Sequence, residues 1–253
     1  MIIIKTADEL KLLRKKFSEE EKDIGFVPTM GVLHDGHKSL FQKSLLENDT
    51  TVVSIYVNKT QFNDKNDFEN YPVHIEKDIE ILEQSGVDVL FLPNYDVIYP
   101  DDYNYRINEY SLSKILCGRT REGHFEGVLT VVMKLLNIVR PNRAYFGEKD
   151  FQQYLLIKNM CNSFFLDLEI IGCPTIREVD GLAMSSRNLL LTEQERKIAP
   201  HFYNTLNQQY SITKTKEELE RLGFKVDYIE DLENRRFGAV YLGKVRLIDN
   251  VEL

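Results

Sequence analysis

The sequence is poor in cysteine, and its three cysteines form no recognisable pattern. Cys117, Cys161 and Cys173 are odd in number, show no C-x-x-C spacing and have no histidine cluster nearby. This arrangement argues against a disulfide framework and against a zinc site. We therefore expect reduced thiols that pack in the interior, as is usual in a reducing compartment.

The sequence also lacks net positive charge and a long uninterrupted apolar run. Its formal charge of -8 argues against nucleic acid as the main partner. The apolar stretch 129–139 is interrupted by Lys134 and Asn137, and residues 1–5 are too short for a signal peptide. We therefore expect a cytoplasmic protein with no membrane and no nucleic acid among its partners.

What remains is the composition of a globular enzyme, with 43% hydrophobic and 28% charged residues over 253 positions. Apolar strand candidates alternate with helical patterns, at residues 2–5, 24–27, 51–57, 87–92, 143–146 and 169–173. This alternation predicts an α/β fold with a Rossmann-like, doubly wound parallel sheet and ligands at the carboxyl ends of its strands.

The pattern changes beyond about residue 176. A polar loop leads to a charged helix from Thr192 and a second helix around 216–222, followed by strand-like runs at 225–229, 239–242 and 245–248. No low-complexity linker separates the two parts. We predict a Rossmann-like domain over residues 1–175 and a smaller α+β domain over residues 176–253.

The most informative segment is 26–37, with the sequence F-V-P-T-M-G-V-L-H-D-G-H. An apolar strand ends there in a glycine turn, and a helix start follows that carries His34 and His37. Such a turn leaves backbone N–H groups and the positive end of a helix dipole directed at one place, where an anion fits. The alternative is that one histidine caps the helix while the other packs against the sheet.

The motif P-T-M-G-x-L-H-x-G-H resembles the signature of the pantoate-beta-alanine ligase (pantothenate synthetase) family, within the H-x-G-H nucleotidylyltransferase superfamily. Four later segments fit the same family in the same order. They are V-S-I-Y-V-N-K-T-Q-F at 53–62, G-H-F-E-G at 123–127, Y-F-G-E-K-D-F-Q-Q at 145–153 and D-G-L-A-M-S-S-R-N at 180–188.

The resemblance implies an ATP-dependent ligation in two steps. The carboxylate of pantoate attacks the α-phosphate of ATP and releases pyrophosphate, and the amine of beta-alanine then displaces AMP to give pantothenate. His37 takes the family's role of proton donor, while His34 and Lys149 bind phosphate and stabilise the pentacoordinate state. The alternative for Lys149 is a surface ion pair with Glu148 or Asp150.

The resemblance also implies the positions that bind substrates. ATP is expected along the first motif, the Gly147 turn, Ile176 and a mobile loop that folds over the triphosphate: Met30, Gly31, Val32, Leu33, His34, Asp35, Gly36, His37, Gly147, Glu148, Lys149, Asp150, Ile176, Met184, Ser185, Ser186 and Arg187. Magnesium (Mg2+) is expected with ATP, and Asp78 is the single candidate for a protein ligand, against the alternative of a solvated carboxylate on a charged helix.

Two glutamines at family motif positions, Gln61 and Gln153, are expected to hold pantoate. An amide offers both a donor and an acceptor to a hydroxy acid without adding a competing charge. Gln152 is a weaker candidate for the same role. The alternative for each glutamine is a hydrogen bond to loop backbone.

The sequence departs from the family pattern at several places. Lys59 and Glu122 stand where the family usually has proline, and the C-terminal part is shorter than usual, so we expect a reduced lid with the nucleotide site intact. Arg119, Arg121 and His124 are expected in a solvated loop, and the alternative is that they border the cleft. The resemblance further implies a homodimer.

Two other functions stay open from the residues. A nucleotidylyltransferase with the same H-x-G-H turn would transfer AMP to a phosphate and stop there. A catalytically degenerate protein would bind ATP without releasing AMP.

Overall fold

A computed structural model describes residues 1–63 and 65–253. Its main sheet has six strands, which pair in parallel in the order β1-β4-β3-β2-β5-β6. The strands are β1 Ile2–Ile4, β2 Ile24–Thr29, β3 Thr50–Ile55, β4 Val89–Phe91, β5 Arg143–Gly147 and β6 Glu169–Cys173. The strand order reverses beside β2, and a reversal of this kind opens a crevice at the carboxyl ends of the strands.

Helices cover both faces of this sheet, because successive strand residues belong to different cores. Phe26, Val52 and Ala144 pack in one core with α1, α7 and α8, whereas their neighbours Val27 and Val53 pack in another with α2 and α4. The helices before β6 are α1 Ala7–Glu19, α2 Asp35–Glu47, α3 Lys65–Glu69, α4 Ile75–Gln84, α5 Tyr95–Ile98, α6 Cys117–Thr120, α7 His124–Val139 and α8 Phe151–Ser163.

The C-terminal part is a three-stranded antiparallel sheet with helices on one face. The helices are α9 Glu193–Ile198, α10 Pro200–Leu206 and α11 Ile212–Arg221, and the strands are β7 Lys225–Leu232, β8 Arg235–Leu242 and β9 Val245–Glu252. Phe202, Leu219 and Ile229 form its own core. Tyr228 and Phe237 instead join the core of the main sheet. The small sheet therefore packs on both sides.

The predicted fold class is confirmed, and the differences concern boundaries. β8 begins at Arg235, four residues before the predicted start, because the charged residues at its beginning are paired. Arg236 is only 4% exposed and is held by Asp231, with Nε to Oδ1 at 2.8 Å. The charged helix from Thr192 is two helices, with Pro200 at the start of the second.

The three cysteines are free and buried. No helix among the described residues is long and apolar enough to cross a membrane.

Candidate active site

A cavity of about 240 Å³ lies at the carboxyl edge of the main sheet. The segments that follow β2, β3, β5 and β6 all contribute to its wall, as expected for a parallel sheet. A second and larger cavity, of about 1080 Å³, lies toward the C-terminal sheet and shares Lys149, Asp150, Ser185 and Arg187 with the first. The two cavities are therefore parts of one cleft.

The turn after β2 is held by a carboxylate from another helix. Asp78 on α4 is 1% exposed and accepts hydrogen bonds from the backbone N–H groups of Val32 at 2.8 Å and Leu33 at 2.7 Å. Gly31 has φ of 83°, and an added Cβ would lie 2.9 Å from Asp78 Oδ2. Val32 has φ of 53°, which is uncommon for a β-branched residue. The carboxylate thus fixes a strained turn.

This geometry corrects two predictions. Asp78 is neither solvated nor available as a metal ligand, because it is buried and each oxygen already pairs with an amide. The N–H groups of Val32 and Leu33 are directed at Asp78 rather than left unpaired for a phosphate. Among residues 1–63 and 65–253, no group of three His, Cys, Asp or Glu side chains is arranged to hold a metal ion.

The rings of the two motif histidines lie in contact at the start of α2, tilted by 45° to each other. Their ring centroids are 4.1 Å apart, and the backbone N–H of His34 donates to Nδ1 of His37 at 3.3 Å. An accepting Nδ1 places the ring proton of His37 on Nε2. Gly36 leaves room for this packing, because a Cβ there would lie 2.9 Å from the His34 ring.

Both imidazoles are neutral at pH 7. Burial lowers the pKa of His34 to about 4, assisted by the positive charge of Lys149. Burial lowers the pKa of His37 to about 3, with further contributions from His34 and Lys149. His34 Nδ1 is buried and has no hydrogen-bond partner among the described residues. The pair therefore offers neutral hydrogen-bonding groups to the cavity.

Gln61 is oriented by a buried asparagine that no sequence motif singles out as a site residue. Asn58 is 1% exposed, and its Nδ2 donates to Gln61 Oε1 at 3.0 Å and to the carbonyl of Gly127 at 3.2 Å. Tyr99 donates its hydroxyl to Asn58 Oδ1 at 2.8 Å. The sequence signal for Asn58 was its place in the motif at 53–62, three residues before Gln61. Lys59 is exposed, and the short helix Lys59–Gln61 forms without the family's proline.

Lys149 lies on the turn after β5, and the C-terminal sheet supports that turn. Asn250 on β9 is 4% exposed, and its Nδ2 donates to the carbonyls of Glu148 at 2.9 Å and Lys149 at 3.0 Å. Lys149 Nζ is 3.5 Å from Asp150 Oδ2, so the alternative of an ion pair with Asp150 is present, but the pair is long. Both side chains line the cleft.

The loop 184–187 forms another part of the wall of the first cavity. Met184 N–H donates to the carbonyl of Ile176 at 3.0 Å, and Ser186 Oγ is 3.2 Å from the hydroxyl of Tyr71. Arg187 pairs with Asp67, with Nη2 to Oδ2 at 3.1 Å. The loop is thus packed against the segment that contains α3.

The structure brings most of the predicted site residues to the first cavity. Those that line it are Met30, His34, Gly36, His37, Gln61, Gly147, Lys149, Asp150, Gln153, Ile176, Met184, Ser185, Ser186 and Arg187. Those outside its wall are Gly31, Val32, Leu33, Asp35, Asp78 and Glu148.

Three residues have surroundings that differ from those expected. Gln152 is 5% exposed and bonds to backbone groups near α6, including the carbonyls of Leu112 and Ile115. His124 is 8% exposed, so it is not in a solvated loop. Arg121 is half-buried and lines the second cavity.

Comparison with known proteins identifies the relatives of this chain. The family model for pantoate-beta-alanine ligase matches residues 2–252. The chain is 49% identical over 251 residues to the pantothenate synthetase of Bdellovibrio bacteriovorus, covering 99% of each chain. It is 52% identical over 227 residues to that of Legionella pneumophila, covering 90% of each. A C-terminal part of this length is therefore shared with the Bdellovibrio relative.

Solved structures agree with these relatives. The pantoate-beta-alanine ligase of Francisella tularensis, solved with beta-gamma ATP and beta-alanine, superposes with a TM-score of 0.95 at 46% identity, covering 100% of this chain and 97% of the other. The pantothenate synthetase of Thermus thermophilus superposes with a TM-score of 0.91 at 37% identity, covering 100% and 99%. The match runs through both sheets, and the chain therefore belongs to the pantoate-beta-alanine ligase family.

Proposed function

We propose that this cleft joins pantoate to beta-alanine through a pantoyl adenylate. In the first step a carboxylate oxygen of pantoate bonds to the α-phosphorus of ATP, and pyrophosphate leaves. In the second step the amine bonds to the pantoyl carbonyl carbon, and AMP leaves with the electron pair of the broken C–O bond. The observation that carries this proposal is the meeting of the histidine pair, Lys149, Gln61 and Gln153 in one cavity.

The phosphates of ATP are assigned to the positive and hydrogen-bonding end of the cavity. Lys149 and Arg187 supply fixed charge where negative charge moves onto the α-phosphate and pyrophosphate, and Ser185 and Ser186 offer hydroxyl groups. The nucleoside is assigned to the turn Gly147–Asp150 and the backbone of Ile176, with Asp150 accepting from the ribose hydroxyls.

The histidines are assigned to the transferring phosphate as neutral donors. His37 would donate through Nε2–H, since its Nδ1 already accepts from the backbone of His34. His34 would pair its buried nitrogen with a phosphate oxygen or a water of the substrate complex. Because both rings are neutral before ATP arrives, they stabilise developing charge by hydrogen bonding rather than as a standing pair of cations.

Pantoate is assigned to the two glutamines on either side of the cavity. Gln61 is held by Asn58 through its oxygen, which leaves its Nε2 as the donor; that nitrogen now contacts the sulfur of Met30 at 3.2 Å. Gln153 on α8 supplies the second amide. Closure of the loop 184–187 over the site would exclude water from the adenylate, which would otherwise hydrolyse.

Magnesium enters as part of the MgATP substrate, held by phosphate oxygens and water, which is its usual mode of binding. The protein residues do not fit a resident metal site, since the described chain offers no cluster of ligands and the Asp78 oxygens are occupied. No protein ligand is therefore assigned.

Three further proposals concern organisation. The division into residues 1–175 and 176–253 is supported by the two separate sheets and by the small sheet's own core. A cytoplasmic location is supported by three free, buried thiols. A homodimer is supported by family resemblance alone, and sedimentation equilibrium of the purified chain would test it.

AMP release from MgATP tests the function directly. Pantoate and beta-alanine are supplied together and singly, and the product is identified by mass. The ligase requires both substrates and forms pantothenate with AMP. Pyrophosphate release with the nucleotide retained on the product would favour simple nucleotidyl transfer, and ATP binding without AMP would favour a degenerate protein. Lys149→Ala should lower turnover about a hundredfold, whereas the exposed Lys158→Ala should not.

A further inference from the structure

Arg121 stands out in the cleft because no described carboxylate pairs with it. Its Nη1 is 3.0 Å from Nε2 of His124, and its Nη2 is 3.5 Å from the carbonyl oxygen of Gln61. Among the described residues, no carboxylate forms an ion pair with it. A half-buried guanidinium with no counter-ion is unusual, since charges removed from water are normally paired.

Three other cations of the cleft are already paired, and Lys244, which also lines the second cavity, is exposed. Arg187 pairs with Asp67, Arg246 bonds to Asp227 Oδ2 at 2.8 Å, and Lys149 contacts Asp150. Burial, together with the positive charges of Arg187 and Arg246, lowers the pKa of Arg121 to about 10. Asp67, which pairs with Arg187, opposes this effect by less than either arginine promotes it. The surroundings therefore favour an anion beside Arg121.

Arg121 is connected to Gln61 through a neutral histidine. His124 Nδ1 lies 2.8 Å from the Gln61 carbonyl, while Nε2 faces Arg121. Nδ1 thus carries the proton and donates to the carbonyl, and Nε2 accepts from the guanidinium. This chain of hydrogen bonds fixes Arg121 relative to the residue assigned to pantoate. Arg121 lines the second cavity, which also contains Lys149, Ser185 and Arg187.

We propose that Arg121 binds the carboxylate of beta-alanine and so selects an amine substrate that carries an acid group. This inference rests on the proposed function. The second step consumes an amine whose own carboxylate stays ionised and unreacted, and that carboxylate needs a cation that the triphosphate does not use. A guanidinium fork matches a carboxylate in two parallel hydrogen bonds.

Binding of this kind also sets the direction of attack. With the carboxylate held at Arg121, the amine end reaches toward the pantoyl carbonyl carbon near Gln61. The C–N bond forms, the bond from that carbon to the phosphate oxygen of AMP breaks, and the ammonium group of beta-alanine gives up two protons to solvent in total. Arg121 takes no part in these bond changes and acts as a binding residue.

The C-terminal sheet holds the helix that leads to Arg121. Thr120 Oγ1 donates to Asp227 Oδ2 at 3.1 Å, and Cys117 Sγ is 3.1 Å from the hydroxyl of Tyr228. Asp227 and Tyr228 both lie on β7. The small sheet thus contributes to the amine subsite by positioning α6, as well as by supporting the Lys149 turn.

The test separates the two half-reactions in Arg121→Gln and Arg121→Lys, with Arg119→Gln as the matched control. Arg119 is two residues away, half exposed, and paired with Glu230 at the surface. We expect Arg121→Gln to raise KM for beta-alanine about 10- to 100-fold. Pantoate-dependent exchange of pyrophosphate into ATP should stay near wild type, and Arg121→Lys should recover part of the loss.

A second readout compares beta-alanine with its neutral amide as the amine substrate. Wild type should prefer the acid strongly, and Arg121→Gln should lose most of that preference, which a purely structural role would not change. Equal use of acid and amide by wild type would overturn the proposal even if the variants fail to fold. Loss of pyrophosphate exchange in folded Arg121→Gln would also overturn it, by assigning Arg121 to ATP. Failure of wild type to form pantothenate would instead refute the proposed function.

Discussion

Replacing Asp78 with alanine should loosen the turn that carries the two histidines. The carboxylate accepts from two buried N–H groups, those of Val32 and Leu33, and it comes from a helix more than forty residues further along the chain. Alanine leaves both donors buried without a partner. Val32, with φ of 53°, would then be free to relax to a more favourable backbone conformation.

The size of the effect can be worked out from the two hydrogen bonds. Bonds to a charged acceptor contribute about 1.5–3 kcal/mol each, and a buried donor left unpaired costs about 1–3 kcal/mol. Since these terms are not additive, we expect Asp78→Ala to lower the free energy of unfolding by about 3–5 kcal/mol. Asp78→Asn should lose less, because its amide oxygen still accepts one N–H while its NH2 group opposes the other.

Urea unfolding followed by circular dichroism gives the free energy, and ATP titration of the folded variant gives the effect on the site. Glu80→Gln, an exposed acidic residue on the same helix, is the control and should stay within about 0.5 kcal/mol of wild type. We expect Asp78→Ala to weaken ATP binding as well, because His34 comes directly after the turn. Wild-type stability together with wild-type ATP affinity in Asp78→Ala would refute this account of the turn.

Three further predictions concern the same site. Gly31→Ala should lower the free energy of unfolding by about 1–3 kcal/mol, because φ is 83° and the new Cβ would meet Asp78; an unchanged urea midpoint would contradict this. His34 and His37 have folded pKa values of about 4 and about 3, below their ordinary 6.5, so the unfolded chain binds more protons on acidification. The stability that the neutral histidines contribute is complete above pH 6.5 and is lost as pH falls toward their folded pKa values. The free energy of unfolding should therefore decline below pH 6.5, and less steeply in His37→Gln than in wild type. Equal pH slopes of the two proteins would contradict the lowered pKa values. Gln152→Ala should lower the free energy of unfolding by about 2–4 kcal/mol, because it removes the partners of buried backbone groups. Gln153→Ala should keep the wild-type melting temperature and raise KM for pantoate about tenfold or more. The opposite pattern would exchange the structural role of one glutamine for the binding role of the other.

The sequence was sufficient for the fold class and for the main motifs because both depend on local patterns. Short apolar strands alternating with helical periodicity indicate a covered parallel sheet. Once strands are assigned, the topology places the segments after them at one edge of the sheet, which is how His37, Gln61 and Lys149 could be predicted to meet. The C-terminal strands were predicted too short, since charged residues such as Arg236 hide a strand whose charges are paired only in the folded chain.

The supporting residues could not be predicted in the same way. Asp78, Asn58 and Asn250 each act on backbone or side-chain groups of the site, and no local pattern indicates which groups they would contact. Gln152 and Gln153 are neighbours of the same type, yet one is turned into the protein and the other into the cleft. Only their positions on α8 decide between these roles.

The sequence by itself thus determined which chemistry this protein carries, because histidine, lysine and glutamine at motif positions define the groups that meet the substrates. Only the tertiary structure decided the state of those groups. Burial makes the two histidines neutral, a distant carboxylate takes the amides of the turn, and Arg121 has no counter-ion among the described residues of the cleft. Charge and hydrogen bonding depend on which segments approach each other across the fold, and that proximity is not written in any local pattern.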